Sequence, residues 1–134
     1  MPERSSFEAA IIRVVPRVER EEFVNVGVVL FCPERRFLQA RIEVDPERLE
    51  ALAPGRVDLP EVEQHLEHIR RVCAGDPAAG PLGELSQAER FHWLVAPRST
   101  VIQISSVHSG LCADPAETLD RLMQTMVSVP SSRG

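Results

Sequence analysis

The chain has 134 residues, of which 43% are hydrophobic and 26% are charged, and its formal net charge is -5. These values are typical of one globular domain with its own core, and a mildly acidic chain lacks the basic surface of a general nucleic-acid binder. The N-terminus has no apolar signal core, and no apolar run approaches the ~20 residues that a membrane helix needs. We therefore expect one cytoplasmic domain over 1–134, ordered at about 6–127 with a disordered tail at 128–134, and no membrane or nucleic-acid partner.

Three apolar segments at the start of the chain predict an antiparallel meander. The first strand covers 7–15 and is ended by Pro16, which removes a ladder donor. The charged connector that follows is too short to cross a sheet, so the next strand, at about 23–32, is an antiparallel neighbour. A third strand at 36–44 alternates apolar and polar residues, which is typical of a half-exposed strand.

The second of these strands is the most apolar stretch of the chain, and both of its faces are mostly apolar, so we expect it to be covered on both sides. A strict two-residue period predicts one wholly apolar face, made of Val24, Val26, Val28 and Leu30. The same period places Asn25 and Gly27 together on the other face, with Phe23, Val29 and Phe31.

The rest of the chain is mainly helical. Asp45, Asp58 and Asp114 each stand at a predicted helix start with a proline close behind, and Ser86 with Glu89 fits a capping box. One late strand is predicted at 100–107, beside either the first or the central strand. The order predicts an α+β fold with a mostly antiparallel sheet of about four strands, the meander and the late strand, packed by two or three helices.

Three residues of the meander are candidates for a site. Arg13 lies in an apolar strand and needs a carboxylate or a path to solvent, while Asn25 carries donors and an acceptor that need partners. Gly27 lets another group approach the backbone. One interpretation is a structural polar pair, Arg13 with Glu21 or Glu22. The other is a pocket floor at Gly27 that is rimmed by Asn25 and Arg13.

A second cluster precedes and enters the late strand. Arg98 and Ser99 can hold a phosphate or a carboxylate, because a guanidinium matches the geometry of either group. An ordinary surface turn is the alternative. Within the strand, Gln103 and Ser105 are predicted to share one face. His108 is predicted to extend the opposite face, that of Ile102 and Ile104, beyond the strand.

No metal, cofactor or catalytic residue can be assigned from the sequence. The four histidines lack the HExxH order, the serines lack a GxSxG elbow, and the glycines are scattered. The three cysteines are far apart in the sequence, which favours reduced thiols over a disulfide framework or a zinc site.

Two motifs resemble the signatures of domain of unknown function (DUF) family 3037. They are residues 13–16 with 22–31 (RVVP and EFVNVGVVLF) and residues 90–94 with 97–103 (RFHWL and PRSTVIQ). The resemblance implies a bacterial protein whose partner is a kinase-like protein of the persistence-toxin type, because genes of the family often lie beside genes for such proteins. The polar positions that the family preserves map onto Arg13, Glu22, Asn25, Gly27, Arg98, Ser99 and Gln103.

Two hypotheses of function follow. The first is a non-enzymatic interaction module that binds another protein or a second copy of itself. The second is an enzyme or ligand-binding domain for an anionic small molecule or phosphoester, with Arg13 and Arg98 on the anion, Asn25 orienting it, and Glu22 or His108 as acid or base. The second hypothesis requires Asn25 and Arg98 to meet in space.

Overall fold

The computed structural model describes residues 3–17, 22–97 and 101–128. Its strands are β1 (Ser5–Arg17), β2 (Glu22–Cys32), β3 (Phe37–Ile42), β4 (Ile102–Ile104) and β5 (His108–Cys112). Its α-helices are α1 (Pro46–Leu52), α2 (Leu59–Ala74), α3 (Gln87–Val95) and α4 (Pro115–Met126), and 3-10 helices occupy Pro33–Arg35 and Pro77–Glu84. The predicted tail beyond residue 128, and the candidates Arg98 and Ser99, lie outside these ranges.

The sheet is antiparallel throughout, and the α+β prediction is confirmed. Within the described ranges it has five strands in the order β3-β2-β1-β4, and β5 pairs with the other end of β1. The meander of β1, β2 and β3 is therefore correct, and the late strand lies beside the first strand. Strand β5 was not predicted.

The sheet separates two hydrophobic cores. The larger core packs α1, α2 and α3 against one face, with Leu49, Leu66 and Phe91 among its fully buried side chains. The smaller core packs α4 against the other face, chiefly through Leu119 and Met123. We call these faces the α2 face and the α4 face. Apolar residues on both sides of β2 thus have a helix to pack against, as its composition predicted.

A β-bulge in β2 overturns the predicted division of its residues between the faces. Ile12 pairs with Gly27 but Arg13 pairs with Asn25, so Val26 is an extra residue in β2. The extra residue inverts the alternation, and Val24 and Val26 therefore lie on the α2 face, while Val28 and Leu30 lie on the α4 face. Asn25 shares the α4 face with Arg13, whereas Gly27 shares the α2 face with Ile12. The prediction that Asn25 and Gly27 share a face is wrong.

A second irregularity lies on the opposite side of β1, between β4 and β5. Ile12 pairs with Ile104 and Ala9 with His108, so the β4–β5 segment has one more residue than β1 between these pairs. Ser105 lies in this segment and is buried. Its hydroxyl oxygen accepts a hydrogen bond from the backbone N–H of Ile11 at 2.8 Å. The shift turns His108 onto the α4 face, together with Gln103. The predicted placement of His108 with Ile104 is wrong for this reason.

The predicted helix starts are confirmed. Asp45, Asp58 and Asp114 each accept hydrogen bonds from backbone N–H groups of the first turn. Ser86 and Glu89 form the predicted capping box of α3. No helix in the described part of the chain is both long enough and apolar enough to span a membrane.

Candidate functional site

Helix α4 covers only part of its face of the sheet. It packs on β2 and β3, where Asp120 forms an ion pair with Arg41. The part of the face that β1 and β5 form lies beside the helix and is not covered by it. A cleft of about 230 Å³ lies there, between α4 and β1, and we call it the α4 cleft.

The lining of the α4 cleft is almost entirely apolar. Phe7, Ala9 and Ile11 lie on alternate positions of β1 and form its floor, and Leu122 and Met126 of α4 form its wall. Among its described lining residues, the polar ones are His108 and Ser109 of β5, and the register places the side chain of His108 on this face. A lining of this kind is suited to apolar side chains or an apolar ligand.

Arg13 follows Phe7, Ala9 and Ile11 as the next residue on the α4 face of β1. In the register, Asn25 of β2 pairs with Arg13 on one side, and Gln103 of β4 pairs with it on the other. Two of the motifs noted in the sequence therefore meet in one row across three strands. The guanidinium of Arg13 lies over the ring of Phe23, with its Cζ atom 4.1 Å from the ring centroid.

Two polar atoms of this row are buried without a hydrogen-bond partner in the part of the chain that the structure describes. They are Nε of Arg13, a donor, and Oδ1 of Asn25, an acceptor. No ion pair found among the described residues involves Arg13. Buried polar groups in proteins are normally satisfied, so these two atoms are candidates for contact with a ligand or a partner.

The amide of Asn25 connects this row to the helix. Its Nδ2 atom donates a hydrogen bond of 3.1 Å to the carbonyl oxygen of Met126, at the end of α4. Met126 also lines the α4 cleft, so it contacts both the cleft and the polar row formed by Asn25, Arg13 and Gln103. The row and the cleft therefore form one continuous surface.

The other candidate residues lie apart from this row. Gly27 faces the α2 side, where a Cβ atom would stand 2.5 Å from the carbonyl oxygen of Arg41, so the glycine permits the close approach of β3. Glu22 begins β2 and is half-buried. His108 lies at the level of Ala9, four residues from Arg13, which is about 13 Å along a strand. The predicted convergence of Asn25 with Arg98 and Ser99 lies outside the described residues.

Several residues of the surface were not identified from the sequence. Met126 was expected in the buried stripe of the last helix, but 41% of it is exposed, and Phe23 is 44% exposed at the start of a buried strand. The sequence offered no signal for this exposure, because the apolar positions of α4 form an ordinary amphipathic stripe.

The nucleophilic and metal-ligating side chains give no second site. Cys73 is buried, and burial raises the pKa of its thiol to about 12, with Arg90 opposing the shift. Burial also raises the pKa of Cys112. The described residues contain no group of three or more His, Cys, Asp or Glu side chains placed to hold a metal ion.

Comparison with known proteins gives one match. Residues 10–127 match the model of the family described as protein of unknown function (DUF3037), which covers most of the chain and both motifs of the polar row. Searches of the curated proteins and of the solved structures find no match. The chain thus belongs to the family described as protein of unknown function (DUF3037).

Proposed function

We propose that this domain is a non-enzymatic, cytoplasmic interaction module that binds a partner protein through the α4 cleft. One observation carries the proposal: the apolar cleft is continuous with two large, exposed apolar side chains, those of Phe23 and Met126. Both lie at the same end of the α4 face, and they are linked through Arg13 and Asn25. Contiguous apolar surface of this kind is typical of sites that bind another protein.

The family resemblance, and not the cleft, suggests a candidate for the partner. It makes a kinase-like protein of the persistence-toxin type the first candidate in a bacterial cell. A second copy of the chain is the other candidate. The cleft itself accepts either, and the experiment below separates them.

Site-specific crosslinking tests the proposal. The photoreactive residue p-benzoylphenylalanine replaces His108, which is exposed on the α4 face and lines the cleft, or, as a control, Gln64 on the exposed side of α2. We expect an adduct with one defined protein from position 108 in cells that express the natural gene, and none from position 64. Met126→Glu in the same chain should remove the adduct, because it places a charge on the apolar wall.

Two results would contradict the proposal. Adducts of equal yield from positions 108 and 64 would mean that contact is not confined to the cleft. Adducts that persist with Met126→Glu would mean that the apolar wall is not used. An adduct with a second copy of the chain would identify self-association as the function of the surface.

The unpartnered Nε of Arg13 favours a second candidate function. This is binding or conversion of an anionic small molecule or phosphoester through Arg13, Asn25 and Arg98. A thermal-shift screen against nucleotides and phosphorylated metabolites tests it, because a ligand at a hundredfold excess over its Kd stabilises the native state by about 2.7 kcal/mol. Stabilisation that Arg13→Gln abolishes supports this candidate, and an unchanged unfolding temperature with every compound rejects it.

A further inference from the structure

We infer that the occupant of the α4 cleft is an extended segment of a partner protein, apolar along the cleft and carrying a carboxylate at Arg13. The inference rests on the proposed function and adds the chemistry of the partner. It follows from the shape of the floor, the charge at its end and the absence of a competing carboxylate there among the described residues.

The floor has the length and spacing of an extended peptide. Phe7, Ala9, Ile11 and Arg13 are alternate residues of one strand, so they face the same side over a distance of about 20 Å. An extended segment of about six residues has that length and also directs every second side chain to one side. The first three floor positions favour apolar side chains, and the last favours an anion.

Among the described residues, no ion pair neutralises the charge of Arg13. Its guanidinium is held against the ring of Phe23, with Cζ 4.1 Å from the ring centroid. The described residues that line the neighbouring cleft carry no carboxylate. A carboxylate is the complement of a guanidinium in charge and shape, and a Lys or Arg at that position would be repelled.

A selection from random peptides tests this chemistry without assuming a sequence. The 134-residue chain is immobilised, and a library of random ten-residue peptides is selected on it in parallel with selection on two variants. Arg13→Gln removes the cation, and Met126→Glu places a charge on the apolar wall. Their matched controls are Arg56→Gln and Leu111→Glu, which make the same changes at exposed positions outside the cleft lining.

We expect the natural chain to enrich peptides that combine apolar residues with Asp or Glu. Synthetic peptides of the enriched sequences should bind at least about tenfold more weakly to Arg13→Gln and to Met126→Glu, because each loses a charged hydrogen bond or an apolar contact. Replacing the acidic residue of the peptide by Asn or Gln should have the same effect as Arg13→Gln. Binding to the two control variants should stay within about twofold. Thermal unfolding of each variant verifies that it is folded.

The possible failures are distinguishable. Enriched peptides that lack an acid, or that bind Arg13→Gln as well as the natural chain, would overturn the inference and leave the α4 cleft as a protein-binding site. Failure to enrich any peptide dependent on Met126, with the crosslinked partner still captured from position 108, would show that the occupant is not an extended segment. Binding of decanoate but of no peptide would assign the cleft to a small amphiphilic acid and overturn the inference. Dimerisation in sedimentation that Met126→Glu abolishes would assign the cleft to a second copy, with the same consequence.

Discussion

The two faces of the sheet differ in how completely they are covered. On the α2 face, three helices bury aromatic and aliphatic side chains such as Phe91, and a buried arginine, Arg90, donates hydrogen bonds to three backbone carbonyl oxygens. On the α4 face, one helix leaves a cleft, an exposed Phe23 and an arginine, Arg13, whose Nε has no hydrogen-bond partner among the described residues. Phenylalanine and arginine are therefore buried on one face, whereas on the other the phenylalanine is exposed and the arginine has one donor without a partner in the described part of the chain.

Phe91 and Arg90 on the α2 face are buried, whereas Phe23 on the α4 face is exposed and Arg13 is half-buried. Buried side chains contribute more to stability than exposed ones, because they remove more apolar area from water and make hydrogen bonds that water does not replace. Substitutions of one residue type on the two faces should therefore have unequal effects on the free energy of unfolding.

Truncation of a phenylalanine should give the largest contrast. Phe91→Ala removes a fully buried ring from the α2 face, and we expect it to lower the free energy of unfolding by about 4 kcal/mol. Phe23→Ala removes a ring that is 44% exposed, so we expect a loss of about 1 kcal/mol or less. Urea denaturation measures both values. Equal losses would mean that the α4 face is as tightly packed as the α2 face.

Replacement of an arginine should give the next largest contrast. Arg90 donates to the carbonyl oxygens of Val72, Cys73 and Leu85 at 2.7–3.0 Å, so Arg90→Met leaves buried acceptors unpaired, and we expect a loss of about 3 kcal/mol. Arg13→Met removes a buried, unpartnered donor and should change stability by less than about 1 kcal/mol in either direction. Urea midpoints of the two variants provide the comparison. A large loss with Arg13→Met would assign that residue a structural role.

Alkaline pH should weaken the α2 face through the thiol of Cys73. Its pKa is raised from 9.0 to about 12 in the folded chain, so the unfolded chain releases the proton first as the pH rises. The stabilisation is complete below pH 9 and is lost progressively between pH 9 and 12, by up to about 1.4 kcal/mol per pH unit. Cys73→Ala should reduce this slope. The chain contains no lysine or tyrosine, so neither type of side chain obscures the measurement between these pH values. Identical slopes for the natural chain and the variant would contradict the role of this thiol.

The sequence predicted those features that depend on local pattern. The alternation in β3, the aspartate caps and the capping box of Ser86 with Glu89 each depend on a few neighbouring residues, and each was found where expected. The fold class followed from the order of these elements.

The arrangement of the site depends on two bulges, which cannot be predicted from a strict two-residue alternation. One extra residue at Val26 puts Asn25 and Gly27 on opposite faces of the sheet. One extra residue before His108 turns that side chain to the α4 face. Both bulges are set by pairing with β1, which is a long-range contact. The position of α4 beside the cleft, and hence the exposure of Met126, likewise depends on tertiary packing.

The behaviour of Met126→Glu tests the division between the two faces most directly. Stability in urea and capture of the partner by the photoreactive residue at position 108 are measured on the same preparation, with Leu111→Glu as the control. We expect the free energy of unfolding to change by no more than about 0.5 kcal/mol, as for an ordinary surface substitution, while capture falls at least tenfold. A folded Met126→Glu chain that captures the partner as well as the control does would contradict the assignment of the α4 cleft as the binding surface.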